Sequence, residues 1–246
     1  MRDIKRRDGV RQLFHHQEQS KTAKPKGFAL RIDKGRLHQV TCRKETMKRI
    51  FAPLLLLSIA STASAYTPKD GDIVFQTSRS SQSLAIQTAT SSPYSHVGVV
   101  LFRKGKPFVL EAVQPVRYTP LNAWLDHGEK GHYVVKRMKQ PLTQAVIAQL
   151  HQHANDYLGK PYDLTFEWSD DRIYCSELVW KLYKQAANIE LAPLSRLGSF
   201  KLDAPVVQQK LKARYGNHIP LEEPVISPAA IFDSPQLATV ATRGHL

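Results

Sequence analysis

The chain has 246 residues, a length that suits one large domain or two small ones. Its net charge of +14 would suit a nucleic-acid-binding protein, but residues 1–46 alone hold 13 Lys or Arg and 5 Asp or Glu. Once Lys48 and Arg49 are also set aside, residues 66–246 keep a net charge of only +4, with both signs mixed along the chain. This distribution argues against a surface that follows phosphates, so we expect no nucleic-acid partner.

The first 46 residues have the composition of a leader segment. They are polar and basic and show no clear periodicity, which predicts disorder. Because they precede a second methionine, Met47, they are typical of an upstream start that is not the true one. A genuine long targeting extension is the alternative.

A secretory signal peptide is predicted at residues 47–65. Residues 47–49 form a short basic start, residues 50–59 are almost wholly apolar, and residues 63–65 are small, as a cleavage site requires. The apolar run is too short to span a membrane. We therefore expect a protein secreted across the inner membrane to the periplasm, with one domain at 66–246 and no transmembrane anchor after cleavage.

Apolar periodicity and turn-forming residues predict the order of elements in the mature chain. We expect strands at 72–76, 95–102, 107–113 and 132–138. We expect helices at 84–89, at 142–158 closed by Gly159, from Cys175 onward, and from Asp203 to Gly216. A further short helix is expected with Thr119 as its cap, Pro120 at its first position and Gly128 at its end. The tail from Ile219 contains four prolines and is expected to follow the surface in extended form.

The second and third strands form a predicted hairpin whose register can be worked out. If Lys104-Gly105 is the loop, Gly98 lies opposite Glu111 on the neighbouring strand. His96 and Glu111 are then diagonal neighbours on one face, roughly 7–8 Å apart at their Cα atoms. Gly98 is expected to leave open space beside the Glu111 side chain. A three-residue loop would instead place the two side chains on opposite faces.

Cys175 stands where a loop rich in turn formers gives way to an amphipathic helix. Apolar residues recur every four positions from Leu178 to Ala186, so Cys175 should lie in the first helical turn. Unpaired backbone N–H groups and the positive end of the helix dipole favour a thiolate there. Signal cleavage would remove Cys42 and leave Cys175 without a disulfide partner. The alternative is a small, buried structural residue.

A cysteine nucleophile needs a base and a third group that orients the base. His96 and Glu111 are the candidates for these two roles. The start of the Cys175 helix can offer a backbone N–H to a developing oxyanion, and the hydroxyl of Tyr174 or Tyr162 is a second candidate donor. Each of these residues also has a structural interpretation, as a hydrogen-bonded or packed residue without a part in chemistry.

No metal or other cofactor is expected. His151 and His153 have the look of a ligand pair, but residues two apart do not share a helix face. The mature chain would have no second cysteine and has no HExxH pattern, so a zinc site is not indicated.

Four motifs carry a family resemblance: Gly71-Asp72-Ile73-Val74-Phe75-Gln76, Ser95-His96-Val97-Gly98, Glu111-Ala112-Val113, and Tyr162-Asp163 followed by Tyr174-Cys175-Ser176-Glu177-Leu178. Together they resemble the YiiX/YaeF-type family, the circularly permuted branch of the NlpC-type papain-like cysteine hydrolases. The resemblance covers about residues 66–235, and its order, histidine and acid before cysteine, is specific. It implies an α+β fold with a curved antiparallel sheet packed against helices, and a triad of Cys175, His96 and Glu111.

The resemblance implies an exported cysteine hydrolase that cleaves an amide or ester bond through an acyl-enzyme. Relatives of this fold act on cell-wall peptides or on acyl-lipid amides and esters. Export makes peptides of the cell envelope accessible and favours them slightly. The aromatic-rich loop 166–174 could instead line an acyl-chain pocket and serve lipid hydrolysis or acyl transfer. A binding module that uses the same groove without turnover is the alternative from another class.

Overall fold

A six-stranded antiparallel sheet lies at the centre of the structure, a computed structural model that describes residues 66–244. Its strands are β1 (Ile73–Gln76), β2 (His96–Arg103), β3 (Lys106–Glu111), β4 (Arg117–Pro120), β5 (Tyr133–Met138) and, later in the chain, β8 (Leu237–Arg243). The spatial order is β4-β3-β2-β1-β5-β8. The predicted leader, signal peptide and cleavage site fall outside the described residues.

Six helices and a small strand pair complete the described part of the chain. The helices are α1 (Ser83–Thr90), α2 (Leu121–His127), α3 (Gln144–Tyr157), α4 (Cys175–Ala187), α5 (Pro205–Tyr215) and α6 (Pro228–Phe232). Two short strands, β6 (Ser195–Arg196) and β7 (Pro224–Val225), pair with each other. One antiparallel sheet with helices packed on it confirms the predicted α+β class. None of the helices at residues 66–244 is long and apolar enough to cross a bilayer.

The two faces of the sheet pack against different helices because side chains alternate along each strand. Val97 and Leu101 of β2 face a core that includes the apolar sides of α3 and α4. Val100 lies on the opposite face, in a smaller core with Trp124 of α2. Helices α1 and α5 share a third, separate cluster. Strand β2 therefore has the core of α3 and α4 on one face and the core of α2 on the other.

The β2–β3 hairpin has the predicted register. Arg103 pairs with Lys106, and the pairing continues to the pair formed by Val99 and Leu110. Lys104 and Gly105 both have positive φ, as a two-residue hairpin turn requires. His96 and Glu111 consequently lie on one face, as expected.

The expectation of open space at Gly98 is wrong. A Cβ atom added at Gly98 would lie 2.4 Å from Cγ1 of Val109 and 2.9 Å from the carbonyl oxygen of Leu110. The neighbouring strand thus fills the room that the missing side chain leaves. The glycine permits close strand packing beside Glu111.

Two predicted caps and the predicted tail also differ from the structure. Helix α2 follows Pro120 with no side-chain cap, because the Thr119 hydroxyl bonds elsewhere, and α5 follows Ala204 and not Asp203. The tail forms β7, α6 and β8, and β8 pairs with β5 along the sheet. Backbone pairing with an open sheet edge stabilises this strand, and its weakly apolar sequence does not reveal such pairing.

The close packing at Gly98 can be tested by unfolding measurements. We expect Gly98→Ala to lower the free energy of unfolding by about 1–3 kcal/mol, because the added methyl group overpacks the strand pair. The exposed Lys106→Ala at the other end of the hairpin should change it by less than about 0.5 kcal/mol. Chemical denaturation of both variants would measure this. Wild-type stability in Gly98→Ala would mean that the neighbouring strand leaves room for a side chain.

Candidate active site

Glu111 is a buried carboxylate at the end of β3, with three side-chain donors around it. His96 Nε2 lies 2.7 Å from Oε2, Trp124 Nε1 donates to the same oxygen at 2.8 Å, and the Thr119 hydroxyl donates to Oε1 at 2.5 Å. The residue is 4% exposed. Burial would raise the pKa of Glu111, but the hydrogen bonds from His96, Thr119 and Trp124 together lower it below its ordinary value. Glu111 is therefore held as an oriented anion.

His96 is the first residue of β2, and its ring contacts groups on both sides of the strand end. The ring stacks on Trp124 with centroids 5.8 Å apart, and its Nε2 faces Glu111. The Cys175 sulfur also lies near the imidazole, close enough to affect its pKa. Burial lowers the pKa of His96, but the hydrogen bonds and negative charges of Cys175 and Glu111 outweigh it and raise the pKa to about 10. This environment favours an imidazolium beside the sulfur.

Cys175 is the first residue of α4, as predicted, and is 3% exposed. The helix begins there because Tyr174 is extended and its N–H donates to the Glu177 carboxylate at 3.3 Å. The Ser176 hydroxyl donates to the Ile226 carbonyl at 2.7 Å, which ties the first turn to the tail. The sulfur thus lies at a fixed helix N-terminus, where unpaired N–H groups favour negative charge.

Glu177 has a structural part in this first turn. Its carboxylate is fully buried and lies 2.9 Å from the ammonium nitrogen of Lys181, one turn along α4. Burial raises the pKa of Glu177 to about 7, against the lowering effect of Lys181 and of the Tyr174 N–H. Its contacts all support the start of the helix, where the positive end of the dipole also favours a negative charge.

The two tyrosines proposed as oxyanion donors lie in different surroundings. The Tyr162 hydroxyl accepts a hydrogen bond from Gln82 Nε2 at 3.0 Å, which leaves its own proton free to donate. Burial and the charge of nearby Cys175 raise its pKa. The Tyr174 hydroxyl accepts the Ile226 N–H at 3.0 Å, which also leaves its proton free to donate, and its ring packs on Phe166. Both tyrosines therefore keep a proton that could be donated, and the role of either stays a prediction.

Cys175 lies on the wall of a largely apolar pocket of about 720 Å³, a volume that includes its open mouth. The pocket runs between α1 and α5, and its apolar lining residues include Ile86, Leu211 and Phe200. Phe166 and Tyr174 show that the predicted aromatic loop contributes one wall. The remaining walls come from segments far away in sequence, which no local pattern connects with Cys175.

Three residues around the site are missed by sequence reasoning: Thr119, Trp124 and Gln82. Thr119 is expected to be a helix cap and Trp124 an apolar residue of a helix, whereas both donate to Glu111. A general signal exists, because a buried carboxylate needs donors and a buried indole N–H needs an acceptor. Gln82 carries no comparable signal in the sequence.

The histidine pair of α3 does not form a metal site. His151 Nε2 lies 2.9 Å from Asp70, and His153 Nδ1 lies 3.0 Å from Asp156 on its own helix. Within residues 66–244, no group of three or more His, Cys, Asp or Glu side chains is placed to hold a metal ion.

Known proteins are similar to this chain in sequence and in fold. A family model described as "Permuted papain-like amidase enzyme, YaeF/YiiX, C92 family" matches residues 67–241. The uncharacterized protein YiiX of Escherichia coli K12 is 55% identical over 188 residues, which cover 76% of this chain and 93% of that protein. A crystal structure described as that of metalloprotein YiiX from Escherichia coli O157:H7 has a TM-score of 0.71 and 56% identity, and covers 72% of this chain and 99% of that one.

The position of Cys175 at a helix N-terminus and near His96 predicts an unusually reactive thiol. At pH 6 an ordinary thiol is almost wholly protonated, whereas Cys175 beside the His96 imidazolium should react with iodoacetamide at least about tenfold faster in wild type than in His96→Ala. His151→Ala is the matched control, because this histidine pairs with Asp70 and should leave the rate unchanged. Mass spectrometry of the alkylated peptide would give the rates. Slow labelling in all three proteins, rising only above neutral pH, would mean a structural cysteine.

Proposed function

Because this chain belongs to the YaeF/YiiX family of permuted papain-like amidases, we propose that it hydrolyses the amide or ester bond of an acyl conjugate through an acyl-enzyme on Cys175. The observation that supports catalysis best is the arrangement of Cys175, His96 and Glu111, in which the imidazole bonds Glu111 at 2.7 Å and lies close enough to the sulfur for Cys175 to raise its pKa. It has the nucleophile, the base and the orienting group in the order that this chemistry needs.

In the proposed first half-reaction, the Cys175 sulfur attacks the substrate carbonyl carbon. The oxyanion receives hydrogen bonds from a backbone N–H of the first turn of α4 and from the Tyr162 hydroxyl. The C–N or C–O bond then breaks, and the His96 imidazolium gives its proton to the departing amine or alcohol. Glu111 stabilises the imidazolium until that proton leaves.

In the second half-reaction, water hydrolyses the thioester. Neutral His96 takes a proton from the water, and the resulting hydroxide forms the new C–O bond with the acyl carbon. The C–S bond breaks, the carboxylic acid departs, and Cys175 and His96 return to their starting state. Glu111 remains ionised throughout, because its three donors stabilise the anion.

The apolar pocket favours an acyl chain as the group that is bound beside the nucleophile. A chain there would contact Ile86, Leu211 and Phe200, and each buried methylene would contribute about 0.8 kcal/mol. A cell-wall peptide, which export favours, would bring more amide groups into a space whose walls are mostly apolar, so fewer of them could be paired. Acyl amides and esters are therefore our first choice, and cell-envelope peptides the alternative.

The metal implied by the name of the related crystal structure, a metalloprotein, does not enter this proposal. The described residues include no group of three or more His, Cys, Asp or Glu side chains that fits a metal ion. The proposed chemistry needs only the side chains and backbone groups of the site.

The proposed hydrolysis predicts a dependence on chain length. We expect kcat/KM to rise from N-acetyl to N-dodecanoyl anilides by roughly threefold for each added methylene, until the pocket is filled. Cys175→Ala should abolish turnover. Ala89→Leu, which narrows the pocket, should slow the dodecanoyl substrate and leave the acetyl substrate nearly unchanged. Leu84→Ala, on the exposed side of the same helix, is its control.

Several results would contradict this assignment. Turnover that persists in Cys175→Ala would place the chemistry elsewhere. Faster cleavage of cell-wall peptides than of any acyl anilide would favour the alternative substrate class. Binding of acyl amides without any turnover by the wild type would favour a binding module.

We also propose that the protein works in the periplasm, because residues 47–65 have the three-part pattern of a signal peptide. Cells that express the full chain should contain a form beginning at Tyr66 in the periplasmic fraction. Mass spectrometry of the mature N-terminus would measure this. Retention in the cytosol with residues 47–65 intact would refute export.

A further inference from the structure

The apolar pocket contains an unbalanced positive charge. Among its lining residues within the described chain, the charged ones are Lys210 and Arg214, both cations, and no Asp or Glu is present. The two residues lie one turn apart on α5, so their side chains are neighbours. A pocket built only to hold an acyl chain has no need of either charge.

Arg214 is half-buried and makes neutral contacts. One guanidinium nitrogen donates to Gln82 Oε1, and the guanidinium lies 4.7 Å from the centre of the Phe166 ring. Within the described residues it forms no ion pair with a carboxylate. By contrast, the guanidinium groups of Arg137 and Arg243 lie against Asp72 and Asp126.

The surroundings of Arg214 make it an unsatisfied cation. Burial lowers its pKa, and a desolvated charge is unfavourable unless an opposite charge compensates it. Tyr162, Tyr215 and Asp163 oppose this effect. Asp163 Oδ1 accepts hydrogen bonds from the backbone N–H and the hydroxyl of Thr165, while its buried Oδ2 has no hydrogen-bond partner. Asp163 nevertheless forms no ion pair with Arg214, and the guanidinium, which carries five N–H donors, bonds Gln82 with one of its nitrogens.

Arg214 is linked to the nucleophile through two side chains. Gln82 accepts from Arg214 with its oxygen and donates to the Tyr162 hydroxyl with its nitrogen. Tyr162 in turn lies close enough to Cys175 for the sulfur to influence its pKa. The cation therefore lines the same pocket as Cys175 and contacts the side chains that lead to it.

We propose that Arg214, with Lys210 as a second cation, binds an anionic group of the substrate beside the scissile bond. The proposal deepens the hydrolase function and rests on it for the position of the reacting carbonyl. Its substrate class is an acyl conjugate with an acidic head group, either a carboxylate, as in an N-acyl amino acid, or a phosphate. The planar fork of an arginine binds both anions with paired hydrogen bonds.

Binding to the inactive Cys175→Ala protein tests the proposal without turnover. Titration calorimetry would compare N-dodecanoylglycine, its neutral counterpart N-dodecanoylglycinamide, and the phosphate ester of N-dodecanoylethanolamine, all below their critical micelle concentrations. We expect at least one acidic ligand to bind about tenfold tighter than the neutral amide, because a charge-assisted pair forms. The tighter of the two acids identifies the head group.

Substitutions in the Cys175→Ala background assign the preference to α5. Arg214→Gln should remove the preference for the acid while binding of the neutral amide stays within about twofold, which also shows that the pocket is folded. Lys210→Gln should reduce the preference by about threefold and is the variant to use if Arg214→Gln does not fold. Lys212→Gln, exposed on the same helix and outside the pocket lining, is the matched control.

The outcomes separate this inference from the proposed hydrolysis. Equal affinity for acid and amide, or a preference that survives Arg214→Gln or is untouched by Lys210→Gln, would overturn the anion site. An acid preference lost in these variants, without turnover of any acyl conjugate by the wild type, would support the anion site and refute the hydrolase. Turnover of acyl conjugates by the wild type without any acid preference would support the hydrolase and refute the anion site.

Discussion

The buried carboxylate of Glu111 is the constraint on which the geometry of the site depends. A charge in a site this enclosed is stable only if several donors surround it, and the structure supplies three from three different elements. Glu111 therefore determines more than the orientation of His96. It draws the strand of Thr119 and the helix of Trp124 into defined positions, and Trp124 also packs against the histidine ring. Orientation of His96 is a product of this whole arrangement.

Location at the end of a strand gives His96 access to two layers. Along most of β2 the sheet separates the core around Trp124 from the core under α4, so a side chain belongs to one layer or the other. His96 is the first residue of the strand, and there the sheet no longer forms a barrier. Its ring can pack with Glu111 and Trp124 and still contact Cys175 at the start of α4.

The part of the site that follows from local rules could be predicted from the sequence. Side chains alternate strictly along strands, so one tight turn at Lys104-Gly105 places His96 and Glu111 on the same face, and four-residue periodicity places Cys175 at a helix start. The contact of Cys175 with His96 depends on long-range packing that no local pattern encodes. The same is true of the pocket, since Gln82 precedes α1 and Arg214 lies on α5, 132 residues apart in the sequence. The strand formed by the tail was missed because its stability comes from pairing with β5.

The separation of local and distant contacts also bears on when the thiol becomes reactive during folding. The hairpin that joins His96 to Glu111 closes over a short stretch of chain, and such hairpins form on a timescale of about 1–10 μs. Cys175 meets its imidazole only after α4 has packed against the sheet, a step that requires contacts across a much longer loop. In an incompletely folded chain Cys175 therefore does not yet lie beside the imidazole. The proposed activation of Cys175 would thus be a property of the finished tertiary structure, which would limit reaction of the cysteine with the wrong partners before folding is complete.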